Sequence, residues 1–224
     1  MDFIFMLTRD DQTIEDCVEL YDTIRALPLR HVGFKDVGVP VDVLRKLHGK
    51  LKADGRVTYM EVVSTSEESC LRSAQIGLDL GVDCLLGGTQ VDLILPLLKG
   101  SRTGYYPFPG IPVGHPTKLG GSPQRIASDT RSALTKGCAG VDLLAYRATE
   151  ADPLDLIRAA RSVTDKPVIV AGSINSPKRI RDIAAAGASL FTIGTAALDG
   201  SFYPRNGLLT NQLKHILEAC AATA

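Results

Sequence analysis

The sequence predicts an α/β protein folded as one (β/α)8 TIM barrel with a closed parallel sheet, and three observations predict it. Short β-rich runs alternate with stretches of helical period from one end of the chain to the other. Several helical stretches end in glycine just before the next apolar run, in LGVDCLL (80–86), CAGVDLL (138–144) and AGASLFTI (186–193), a weak repeat of βα-unit size. No composition shift or low-complexity linker divides the 224 residues, so a single barrel domain is expected over 1–224.

The elements follow in order. Strands are expected at 3–7, 31–34, 57–63, 84–86, 104–106, 141–145, 168–171 and 190–193, each a run rich in β-branched, aromatic or aliphatic residues and too short for a helix. Between them, 14–27, 41–54, 67–80, 122–136, 154–164 and 177–186 carry apolar residues at helical spacing. Asp152 and Pro153 look like a helix start, and Asp11 or Thr13 is expected to cap the first helix. A doubly wound open sheet is the alternative, but the first strand is not followed by GxGxxG. The break in rhythm is 101–121, with four prolines and five glycines, read as a long structured loop after the fifth strand. Loops that follow barrel strands lie on the catalytic face.

Composition narrows the function. Twenty-five basic residues balance 25 acidic ones, which argues against a nucleic-acid surface built on bulk positive charge. Cys17, Cys70, Cys84, Cys138 and Cys220 are odd in number and form no CxxC pair, so neither a disulfide framework nor a zinc site is expected. The first residues lack a basic leader pattern, and no run approaches the ~18 apolar residues of a membrane span. A cytoplasmic protein without nucleic-acid or membrane partners is expected; assembly into a homo-oligomer is left open.

The most specific segment is the last quarter. Val168-Ile-Val-Ala-Gly-Ser173 and Phe191-Thr-Ile-Gly-Thr195 each end an apolar strand in glycine and a small hydroxyl residue ahead of a helix or short turn. Glycine permits close backbone approach, and free amides ahead of a helix bind oxyanions. In this the chain resembles the phosphate-binding barrel superfamily of histidine-biosynthesis isomerases, ribulose-phosphate epimerases and N-acylmannosamine-phosphate epimerases. The resemblance covers about the last third of the chain and implies a phosphate held at Gly172, Ser173, Gly194 and Thr195. It does not fix the reaction. The metal-binding pattern of ribulose-phosphate epimerases is absent, since Gly33 stands where an acidic ligand would be, so neither a metal nor another cofactor is expected.

Candidate catalytic groups are polar residues at strand ends. Alternation along HVGFKD turns His31, Gly33 and Lys35 into the barrel, and along VTYMEVV it turns Tyr59 and Glu61 inward. Lys35 and Glu61, on neighbouring strands, would meet at the mouth. A desolvated lysine beside a carboxylate can trade protons with a carbon acid, or can form a Schiff base with a carbonyl. His115, held extended between glycine and proline, is a third acid/base candidate. Arg9, Lys118 and Arg147 are candidate substrate-binding cations, which would make the mouth locally positive. The expected activity is isomerisation, epimerisation or carbon–carbon cleavage of a small phosphorylated sugar-like metabolite. Alternatives are a Schiff-base aldolase using Lys35 and a non-catalytic barrel that binds a phosphorylated ligand.

Overall fold

A computed structural model of the chain describes residues 1–63, 66–114 and 117–223. Eight parallel strands follow one another in chain order: β1 (Asp2–Met6), β2 (His31–Lys35), β3 (Val57–Val62), β4 (Cys84–Gly87), β5 (Gly104–Tyr106), β6 (Val141–Leu143), β7 (Val168–Val170) and β8 (Leu190–Ile193). Ladder pairing runs from β6 through β7 and β8 to β1, and on through β2, β3 and β4 to β5. The ring closes at the seam between β5 and β6, where Ala139 N–H donates to Tyr105 O (2.9 Å) and Asp142 N–H to Pro107 O (3.0 Å). All eight expected strands are therefore present in a nearly closed barrel.

The helices form the outer layer: α1 (Cys17–Ile24), α2 (Val41–Ala53), α3 (Glu67–Leu80), α4 (Val91–Leu97), α5 (Pro123–Lys136), α6 (Pro153–Arg161), α7 (Pro177–Ala185), the single turn α8 (Thr195–Leu198) and α9 (Leu209–Ala221). Ser122, Asp152 and Ser176 cap α5, α6 and α7 through their side chains, each followed by proline at the first helical position. Two helices were not foreseen. α4 is short and interrupted by Pro96, and α9 has no strand after it to mark a βα unit. α9 packs on α1, α7 and β1, covering the junction of the first and last units.

Alternation divides the core in two. Phe3, Phe5, Val32, Phe34, Met60 and Phe191 face the helices, while Ile4, Met6, Tyr59, Cys84, Leu86 and Ile169 fill the barrel. His31, the first residue of β2, sits at the amino-terminal end of the strands, away from the mouth, where Tyr59 Oη bonds its Nδ1 (2.9 Å).

Candidate active site

β2 and β3 pair Lys35 directly with Glu61, and parallel register sends both side chains to the same face. Lys35 is 4% and Glu61 7% exposed, with Lys35 Nζ 3.2 Å from a Glu61 carboxylate oxygen. The inward meeting of these two charges was legible from alternation alone.

A third partner comes from the loop after β1, where the sequence reading placed a helix cap. Thr8–Arg9 pairs antiparallel with Gln12–Thr13 in a two-residue hairpin whose corner residues, Asp10 and Asp11, have φ of 50° and 60°. Aspartate tolerates this left-handed conformation, and such turns match the twist of a hairpin. α1 starts only at Cys17, so neither Asp11 nor Thr13 caps it. The hairpin folds back over β2 instead. Thr13 Oγ1 accepts from Lys35 N–H and donates to Lys35 O, both at 2.8 Å, and Asp11 reaches Lys35 Nζ at 2.8 Å.

Arg147 completes the row. β6 ends in a 3-10 turn (Ala145–Arg147) from which the guanidinium bonds both Asp11 oxygens at 3.0 Å. Glu61, Lys35, Asp11 and Arg147 thus form a continuous chain of alternating charge. Burial works against charge on Lys35, yet the charges of Glu61 and Asp11 and its hydrogen bonds to both outweigh it and raise its pKa. Burial likewise opposes ionisation of Asp11, but hydrogen bonds from Arg147 and the charge of Lys35 hold its carboxyl well below the usual range. Lys35 is an ammonium at neutral pH, not the amine that desolvation alone would give.

The opposite wall of the same cavity, of about 490 Å³, carries Gly172, Ser173, Asn175, Arg179, Gly194 and Thr195. Gly172 has φ +79°, and a Cβ there would lie 2.6 Å from Arg147 Nε. Its N–H donates to Thr192 Oγ1 at 3.3 Å, so it is already engaged. Ser173 also holds a left-handed backbone, φ +61°, and its carbonyl accepts from Arg179, whose guanidinium stacks 4.5 Å over the Tyr146 ring. Gly194 serves packing: a Cβ would lie 2.6 Å from Thr8 O. It precedes α8, where the Ala197 and Leu198 N–H groups both donate to Gly194 O (2.9 and 3.0 Å), so that only the Thr195 and Ala196 amides of the turn lack an acceptor within it.

Two candidates fall elsewhere. Arg9 is exposed on the first hairpin and faces a separate shallow groove with Gln12 and Glu15. Lys118 is exposed on a second hairpin, Ile111–Val113 with Lys118–Gly120, and does not line the cavity. His115 lies outside the described residues. The segment 101–121 holds β5 itself and this hairpin, so it is not one loop after the strand. Thr149 N–H donates to Leu119 O (3.0 Å) and Arg147 to Thr117 O (3.4 Å), which ties the hairpin to the rim. The mouth is not positive overall: Lys35, Arg147 and Arg179 face Asp11, Glu61 and Asp199. Sequence reading missed Asp11 and Arg179. The adjacent aspartates Asp10 and Asp11 mark a turn, but nothing in the sequence says that the turn returns over β2.

The model of the histidine biosynthesis protein family matches residues 113–206, less than half of the chain. No curated protein matches. Among solved structures, the chain is similar to 3-hexulose-6-phosphate synthase from Salmonella typhimurium (TM-score 0.69, 14% identity, 100% of each chain covered). It is similar to the Amycolatopsis orientalis BexX/CysO complex (TM-score 0.66, 20% identity, 100% of this chain and 89% of that one). A third is N-acetylmannosamine-6-phosphate 2-epimerase from Clostridium perfringens (TM-score 0.61, 11% identity, 96% and 93% covered). At these identities the likeness establishes the fold. With the family-model match, it bears out the resemblance to phosphate-binding barrels at the level of the superfamily and singles out no one family within it.

Proposed function

We propose that the chain is a metal-independent enzyme that binds a small phosphorylated sugar-like metabolite and moves a proton next to its carbonyl, as an isomerase, an epimerase or a carbon–carbon lyase. The observation that carries this reading is a single cavity with a buried carboxylate–lysine–carboxylate row on one wall and glycine-hydroxyl strand ends on the other. A phosphate on the Thr195 and Ala196 amides, the hydroxyls of Ser173 and Thr195 and the Arg179 guanidinium would leave the remainder of a small sugar over Lys35. The names of two structural neighbours, the hexulose-phosphate synthase and the epimerase, agree with such a substrate.

In this mechanism Glu61 is the base and Lys35 the acid. Glu61 takes the proton from carbon, and the electron pair moves to the carbonyl oxygen, where the Lys35 ammonium stabilises it. Asp11 keeps Lys35 charged and aimed, and Arg147 keeps Asp11 ionised. The same row works against a Schiff base, because the neutral amine which that chemistry requires is the form disfavoured between two carboxylates.

Calorimetric titration with inorganic phosphate tests the anion half of the reading. Arg179→Ala is expected to weaken binding at least about tenfold, the worth of one charge-assisted hydrogen bond. Unchanged affinity would remove the anion site from this wall.

A further inference from the structure

The barrel also encloses a carboxyl group that the proposed chemistry does not use. Asp142, on β6, is completely enclosed at 0% exposure. It pairs in register with Ile169 of the interior cluster, so its side chain points into the barrel. Neither of its carboxyl oxygens has a hydrogen-bond partner among the described residues. A structural aspartate inside a barrel would be expected to bond a backbone amide or a cation, because an unsatisfied buried carboxyl costs stability.

The groups acting on Asp142 are Glu61 from β3, Lys35 from β2 and Arg147 from the turn after β6. Neighbouring β5 and β7 present Tyr106 and Ile169 to the same interior. The charges of the row already cancel, Lys35 and Arg147 against Glu61 and Asp11. A third carboxylate in that enclosure would be uncompensated. Burial, and after it the charge of Glu61, push the Asp142 carboxyl well above the usual range, while Lys35 and Arg147 pull it back less.

We propose that Asp142 is a positioning residue that shares one negative charge with Glu61, remaining a carboxylic acid while Glu61 is ionised and ionising when Glu61 takes up a proton. The two states, Glu61 carboxylate with Asp142 acid and Glu61 acid with Asp142 carboxylate, hold the same proton and the same charge. During turnover Glu61 gains its proton from the substrate carbon. Asp142 releases one to Lys35, which has passed an N–H proton to the substrate's carbonyl oxygen and so returns to the ammonium. The row carries one more positive charge once Glu61 is protonated, and the Asp142 carboxylate offsets it, so the five groups together stay neutral. The catalytic use of the pair rests on the reading of Lys35 and Glu61 as the chemical centre; the shared charge itself needs no substrate.

Carbon-13 NMR titration of the aspartate and glutamate carboxyls in the full chain tests it. Asp142 is expected to keep the chemical shift of a protonated acid through neutral pH. That signal is expected to vanish in Asp142→Asn, a change of nearly the same shape, with no other carboxyl replacing it. In Glu61→Gln, Asp142 is expected to titrate at lower pH, which provides the answer should Asp142→Asn fail to fold. An Asp142 carboxyl ionised at neutral pH, or one whose titration is the same in wild type and Glu61→Gln, would overturn the proposal. Neither result depends on phosphate binding, so loss of the anion site would leave this inference standing, and its failure would leave the anion site untouched.

Discussion

Lys35 retains its charge in a nearly closed interior because two carboxylates surround it, and Asp11 is the one held from a loop. Its folded-state pKa is depressed, so the stability it supplies is present above its unfolded value of about 4 and is lost as pH falls through the folded value. Asp11→Asn keeps a residue suited to the left-handed corner of the hairpin but removes the charge between Lys35 and Arg147. The variant is expected to lose about 2–4 kcal/mol at neutral pH, as for breaking a buried pair, with the difference from wild type shrinking below about pH 4. Urea unfolding across that pH range measures it; a constant difference at every pH would mean that shape, not charge, was lost. Lys35 and Glu61 could be read from the sequence because alternation along a strand fixes which way a side chain points. Asp11 could not, since its position depends on a hairpin that returns over a neighbouring strand, and a pair of aspartates ahead of a helical pattern resembles a cap. Asp142 was passed over for another reason: CAGVDLL reads as a buried strand, and only the assembled barrel encloses that aspartate within reach of the charges of Glu61, Lys35 and Arg147.

Among the elements, the glycine ends of β7 and β8 were legible as special, but their causes differ. Gly172 combines a left-handed backbone with contact against Arg147, whereas Gly194 is small because the chain at Thr8 crosses it. Gly81, which ends α3 at φ +77°, has nothing within 4 Å of a Cβ. The two left-handed glycines make a matched comparison. Gly81→Ala is expected to cost about 1 kcal/mol, the backbone penalty alone. Gly172→Ala is expected to cost about 1–3 kcal/mol more, because Arg147 must move and its pairing with Asp11 is strained. Equal losses in urea titrations of the two variants would show that Arg147 is free to yield. The first and second hairpins were both illegible, because strands of two or three residues leave no periodicity to count. Each nevertheless places a functional group: one delivers Asp11, and the other accepts from Arg147 through Thr117 O.

For the molecule as a whole, the order of eight βα units was readable because the units repeat an apolar run and an amphipathic stretch, several of them closed by a left-handed glycine such as Gly81, Gly137 or Gly187. Closure was less so, since the seam between β5 and β6 is held by two backbone bonds and adjoins the proline-rich segment. The balance of 25 basic and 25 acidic residues recurs at the mouth, where cations are matched by carboxylates and no net positive funnel forms. Recognition of a phosphorylated substrate then rests on local donors and not on the field of the whole protein. The most direct test is proton exchange itself: incubation of the protein in deuterium oxide with a panel of sugar phosphates, followed by proton NMR. The signal at the carbon beside the carbonyl is expected to disappear for at least one sugar phosphate, with far slower exchange in its dephosphorylated form and a fall of at least about 100-fold in Glu61→Gln, the scale of one general base. Exchange at the same rate in Glu61→Gln, or phosphate binding with no exchange in any sugar phosphate, would contradict the proposed mechanism.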